Sequence, residues 1–162
     1  ILSPSVWEQE SSHHRSEFDK NLCHEIAHVF TRQIHRSYEP MWLNEGLACI
    51  VAKQMVRLQK NNYPDFFNPE TMSLLDTRKK WEKTITKELT PYATSFLLVD
   101  FLIRRFGKQK ILRFLKVLDG RYSKKKFYQR FKEVYGKGVI EVKNELLEVQ
   151  RIKPEGGEKY VY

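Results

Sequence analysis

Cysteine is scarce in this chain of 162 residues, with Cys23 and Cys49 the only two. Two thiols cannot staple a disulfide-framed fold, so a hydrophobic core has to do that work. Both are read as buried free thiols, with a disulfide bracing the site or a redox-sensitive thiol as the alternatives. Long apolar runs are missing as well. None reaches the roughly eighteen residues that a membrane-spanning helix needs, and the longest, around 96–103, is broken by Asp100. No secretory leader is visible, because Ile1-Leu2-Ser3-Pro4 has neither a basic start nor an apolar h-region. A chain that opens on Ile1 is expected to be part of a longer one, and these features point to no particular compartment. Internal repeats are absent and strand-like alternation is almost so. Basic residues are few in the first half, where residues 1–77 hold 7 Lys and Arg against 10 Asp and Glu; residues 78–162 hold 22 against 10.

What is present describes one globular domain. A content of 41% hydrophobic and 13% aromatic residues is enough for a packed core. The periodicity is helical almost throughout. A first helix is expected from about Ser16, a good N-cap with Glu17 and Asp19 behind it, to Ile34 or His35. Its apolar stripe runs Phe18, Leu22, Ile26, Val29 and Phe30. Pro40 opens a second helix, expected over 41–59. Turn-rich residues 61–69 follow, then a short helix over 70–80. Thr90 caps a longer helix with Tyr92, Phe96, Val99, Ile103 and Phe106 on one stripe, ended by Gly107. Helices at 108–118, at 123–135 (ended by Gly136) and at 138–150 complete the series. Ile1, Leu2, Val6 and Trp7 read as a strand end interrupted by Pro4.

One stretch names a chemistry. His24-Glu25-Ile26-Ala27-His28 has the pattern H-E-x-x-H, and Glu45 follows His28 after sixteen intervening residues. Helix positions four apart differ by only about 40° in azimuth, so His24 and His28 share a face and can offer two imidazoles to one ion. Glu25 is turned about 100° from His24, near that ion without being forced onto it, which suits a general base. The best third ligand is Glu45, early in the second helix and beyond a break long enough for the chain to reverse. His35 lies about two turns past the ion on the same helix, and His13 and His14 sit in a loop. Two His, one Glu and an open position make up a catalytic zinc site.

His24-Glu25-Ile26-Ala27-His28 together with Trp42-Leu43-Asn44-Glu45-Gly46-Leu47-Ala48 resembles the gluzincins, zinc metallopeptidases with two His and one Glu as ligands. The W-L-N-E-G-x-A string is similar to that of the aminopeptidase branch. The shorter His-to-Glu gap and the 92–107 helix ending in Arg105-Phe106-Gly107 look more like compact "peptidase MA-like" domains. The resemblance implies a mainly α (α+β) fold: a thermolysin-like zincin core with a small N-terminal strand region and a helical C-terminal part. The resemblance covers roughly residues 1–135; a catalytic domain is expected over residues 1–153, where Pro154-Glu155-Gly156-Gly157 closes the fold and leaves a tail at 154–162. It also implies one Zn²⁺ held by His24, His28 and Glu45, with Glu25 as base and acid, and a peptide or protein as substrate. Tyr92 would donate a hydrogen bond to the oxyanion, with Tyr38 and Tyr63 as substitutes. Two departures matter. The Gly-x-Met-Glu-Asn signature that grips a substrate's free amine is missing. The position four after Glu45, an acid orienting a zinc-binding His in thermolysin, is Cys49 here. The partner of that His is then expected from Glu17, Asp19 or backbone carbonyls.

A competing reading starts from the charge. The net +12 of residues 78–162, with clusters at 78–80, 104–105 and 124–126, would suit a non-catalytic zincin scaffold that binds an acidic partner. No nucleic-acid motif accompanies it, so no nucleic-acid partner is expected.

Overall fold

The computed structural model describes residues 15–34, 40–54, 69, 72, 90–118 and 123–151. Six helices account for nearly all of them: α1 (Arg15–Ile34), α2 (Met41–Val51), α3 (Thr90–Phe106), α4 (Lys108–Val117), α5 (Lys124–Tyr135) and α6 (Val139–Arg151). No strand occurs among the described residues. The expected N-terminal strand, the 61–69 turns, the 70–80 helix and the C-terminal tail fall on residues outside that set, apart from Pro69 and Met72.

Local chemistry explains the helix ends. Gly107 and Gly136 take φ of 85° and 78°, the left-handed region that glycine enters without a Cβ clash. Ser123 caps α5 by accepting from the Lys126 N–H at 3.3 Å. The expected run of the second helix to residue 59 is interrupted at Val51. The Lys53 N–H donates to the Ile50 carbonyl at 3.2 Å, and the Gln54 N–H to the Cys49 carbonyl at 2.9 Å. Those two bonds, around a Lys53 φ of 51°, form a Schellman stop. A left-handed lysine costs roughly 1–2 kcal/mol, so the surrounding bonds must hold the turn in place.

α3 is the centre of the bundle. Every residue from Ala93 to Leu102 is buried, so the single stripe expected from 92–106 understates it. A helix wrapped on all sides needs apolar or internally satisfied side chains all round; Ser95 meets this by donating to the Pro91 carbonyl at 2.6 Å. α2 lies across α3 and is likewise buried from Trp42 to Cys49. Trp42 anchors it, packing edge-to-face on Phe127 and Phe131 of α5, each ring centroid 6.4 Å away. Phe114 of α4 joins the same cluster at 5.4 and 5.3 Å.

α1 packs on α2 with an unexpected face. Among its described side chains the buried ones are His24, Ala27, His28 and Thr31, whereas Leu22, Ile26, Val29 and Phe30 of the apolar stripe are 37%, 44%, 55% and 61% exposed. The polar face is buried because α2 supplies hydrogen-bonding partners for it. The two cysteines also separate: both are free, Cys49 buried and Cys23 exposed.

Gly46 sets how closely α2 and α3 cross. A Cβ there would run into the Ser95 carbonyl oxygen and Val99 Cγ2. Gly46→Ala should therefore destabilise the fold by about 1–3 kcal/mol, as overpacking does, although alanine is the better helix former by about 1 kcal/mol. Denaturant unfolding gives the sign directly, and a stabilised variant would refute the close crossing.

Candidate metal centre

Packing α1 on α2 brings the chemistry together. His24 and His28 stand one turn apart on α1, with ring centroids 4.7 Å apart and planes at 83°. Asn44 and Glu45, the fourth and fifth residues of α2, face them, and all four residues are buried. One oxygen of Glu45, Oε2, lies 3.2 Å from His24 Nε2 and 3.4 Å from His28 Nε2. On the far side of each ring an amide oxygen meets Nδ1: Gln54 Oε1 at 2.7 Å for His24 and Asn44 Oδ1 at 2.9 Å for His28. The Thr31 hydroxyl reaches Asn44 Oδ1 at 2.8 Å and the His28 carbonyl at 3.1 Å, donating to one at a time.

The donor set fits a small divalent cation. Ligands 2.0–2.1 Å from a tetrahedral centre are about 3.3–3.4 Å from one another, and the two nitrogen–oxygen separations fall at that spacing. Glu25 is the other carboxylate in reach. Its ligand atom lies within 4.8 Å of those of His24 and His28, but its side chain is exposed. Glu45 is nearer to both rings and shielded from water, and so is the better third donor of the two.

Electrostatics point the same way. The carboxylate of Glu45, hydrogen-bonded to His28, raises that imidazole's pKa above its ordinary value; burial opposes this and Asn44 adds to it. Burial pushes Glu45 upward, yet its hydrogen bonds with His24 and His28 outweigh the burial and leave the carboxyl at about 2. The cluster therefore carries a standing demand for positive charge, which either a proton or a metal ion can meet. Tyr92, half-buried at the start of α3, has its ring centroid 6.4 Å from that of His24. Burial, and then the charge of Glu45, hold its hydroxyl above the ordinary tyrosine pKa, so it stays a donor. Cys49, with Sγ 4.0 Å from His24 Nδ1, is pushed by burial to about 12 and remains a neutral thiol.

Comparison with protein-family models gives a match to the Peptidase MA superfamily over residues 15–146. The chain belongs to that superfamily. The matched span runs from the first turn of α1 into α6 and takes in His24, Glu25, His28, Glu45 and Tyr92. No curated protein and no solved structure matches the chain. Within this Peptidase MA domain, sequence reasoning missed Asn44, Thr31 and Gln54. Of the acids offered as partners for the histidines, Asp19 is exposed, and side-chain amides occupy both Nδ1 atoms instead. Asn44 could have been found, since it adjoins Glu45 on a helix facing His28. Gln54 could not, because the expected helix ran straight through it. Tyr38, Tyr63, His13, His14 and His35 lie outside the described residues.

A pH dependence follows. His28 gains a proton-holding partner, so metal binding must displace that proton, and divalent-metal affinity should rise about tenfold per pH unit until pH passes the raised pKa, then level off. Without metal the trend reverses. The contribution of His28 to stability is complete below its unfolded value of 6.5 and is lost as pH rises through its folded value. That of Glu45 is complete above 4.5 and is lost as pH falls toward about 2. Chelator competition and denaturant unfolding, each run across pH, measure the two arms. A pH-independent affinity would contradict the proposed competition.

Proposed function

We propose that this domain is a zinc-dependent peptidase in which His24, His28 and Glu45 hold one Zn²⁺ and Glu25 moves the proton. The observation that carries this reading is the meeting of two imidazole nitrogens and one buried carboxylate oxygen at the edge length of a tetrahedron, beside a second, exposed carboxylate. Bound there, the ion would lower the pKa of a coordinated water to near neutrality and polarise a substrate carbonyl.

The chain's own groups supply the rest. Glu25 accepts a proton from the attacking water and delivers it to the leaving amine nitrogen; its exposure gives it access to both. Tyr92 donates its hydroxyl hydrogen to the carbonyl oxygen as charge builds there. Its raised pKa keeps that hydrogen in place across the physiological range. Asn44 holds the His28 ring from behind, and Thr31 steadies Asn44. The thermolysin-like arrangement is the architectural counterpart of this reading, supported by the family membership and by the crossing of α1 and α2.

Hydrolysis of a mixed peptide library, followed by mass spectrometry with and without a chelator, tests the proposal. Chelation should abolish cleavage, and zinc should restore it. Glu25→Gln should lower kcat by about 10²–10⁴-fold, the usual worth of a positioned base. Tyr92→Phe should lower it by about 10²–10³-fold, as loss of one oxyanion donor does. Cleavage that survives the chelator, or a fully active Glu25→Gln, would end this reading.

A second reading is favoured by the surface of α4 and α5. Lys108, Lys110, Arg113 and Lys116 of α4, and Lys124, Lys125, Lys126 and Lys132 of α5, are all exposed. Neither helix has an acidic residue in its first turn. On this reading the scaffold binds an acidic protein partner through that surface without catalysis. Retention on an anionic resin should then fall when Lys124, Lys125 and Lys126 are replaced by Glu and stay unchanged in Glu25→Gln. Unaltered retention of the triple variant would count against it.

A further inference from the structure

Gln54 is assigned no part by the family match or by the H-E-x-x-H pattern. It stands after the end of α2 and thirty positions from His24 in the chain. Its side chain nevertheless makes the shortest contact to either of the two imidazoles, Oε1 to His24 Nδ1 at 2.7 Å. Its other end, Nε2, donates to Asn21 Oδ1 at 2.8 Å. Asn21 lies one turn before His24 on α1, so the Gln54 amide bridges two positions of the same helix.

Resting on the reading of His24 as a metal ligand, we propose that Gln54 is its positioning residue: the amide, aimed by the turn at Lys53 and held by Asn21, keeps the His24 proton on Nδ1 and points the Nε2 lone pair at the metal site.

The chemistry of a primary amide carries the argument. One end only accepts and the other only donates. With Nε2 committed to Asn21 Oδ1, the end facing His24 is an acceptor, and an acceptor at 2.7 Å has to be met by an N–H. A neutral imidazole has one N–H. Placed on Nδ1, it leaves Nε2 with a free lone pair, and Nε2 is the atom 3.2 Å from Glu45 Oε2. The opposite tautomer would set the Nδ1 lone pair against the Gln54 oxygen and put a proton where a ligand atom is needed.

Cys49 does not do this work. Its sulfur is 4.0 Å from the same nitrogen and is a weak acceptor. The Schellman stop lets the later residue do so instead. It ends α2 at Val51, puts Lys53 at φ 51° and turns Gln54 back toward α1. Had the helix continued, position 54 would lie nine residues and about 13.5 Å along the axis from Glu45. The two histidines are thus oriented by neutral amides delivered in different ways: Asn44 from within α2 and Gln54 from the turn that ends it. Neutral partners leave the ring nitrogens less electron-rich than a carboxylate would, so the ion is held less tightly.

Nitrogen chemical shifts of the His24 ring in the metal-free protein, at a pH above its titration, read the tautomer without any catalysis. Zinc affinity by chelator competition gives the second readout. The parent should show the Nδ1–H form. Gln54→Leu should show a mixture of forms and a zinc affinity lower by about 10–100-fold. Gln54→Glu keeps an acceptor in place and should retain the Nδ1–H form with affinity at or above that of the parent, which a merely structural role for Gln54 would not produce. Lys53→Gly keeps the turn and should leave both readouts unchanged. An Nε2–H form in the parent, or a Gln54→Leu variant with parental tautomer and affinity, would overturn the proposal. Zinc binding insensitive to His24→Ala would instead refute the metal-site reading, and the tautomer measurement would still decide the role of Gln54.

Discussion

A buried carboxylate oxygen placed between two imidazole nitrogens is the constraint on which the rest of the site depends. Glu45 has left water, where an isolated charge at that depth would cost several kcal/mol. It stays ionised, at about 2, because two rings face it. The rings are in turn held from behind by amide oxygens at 2.7 and 2.9 Å. Nothing in this arrangement is satisfied by apolar packing alone. Positive charge at its focus, as a proton or as the proposed ion, favours the arrangement.

These contacts explain why the polar face of α1 is the buried one. A helix normally turns its apolar stripe inward. Here Leu22, Ile26, Val29 and Phe30 are left exposed while His24, His28 and Thr31 are covered. The helix that covers them can come close only because its own back is tightly seated. Gly46 admits the Ser95 backbone and Val99 without a Cβ between them, and Trp42 locks into the rings of Phe127 and Phe131. Glu45 sits between those two anchor positions, so α3 and α5, which carry none of the proposed ligands, govern where the carboxylate oxygen lies.

How much of this could be read from the letters varies with how local the physics is. Helix ends were legible at Gly107 and Gly136, because a glycine stop depends on near neighbours in sequence, whereas Ser16 and Thr90, read as N-caps, lie inside their helices. The shared face of His24 and His28 was legible because a four-residue helical spacing is a local fact. The buried face of α1 was misjudged, since it depends on partners from α2 and the turn that ends it, 13 to 30 residues away in the chain. Gln54 was hidden for a related reason: only the left-handed conformation of Lys53 brings it to His24, and nothing about a lysine announces that conformation. The encirclement of α3 was likewise invisible in a pattern that showed one stripe.

The two glutamates show why position, more than residue type, divides labour in such a site. Glu25 and Glu45 carry the same group and lie near the same imidazoles. A ligand must be anionic at every working pH, and the ring contacts of Glu45 secure this while its burial keeps water from competing. A base must reach bulk solvent, take a proton and give it up again, and those same contacts would disable it by holding its pKa too low. Glu25, about 100° around α1 from His24, is carried out of the α1–α2 interface to the exposed side. On the proposed reading the binding carboxylate is delivered into the interface from α2, while the reacting one is carried out of it on α1.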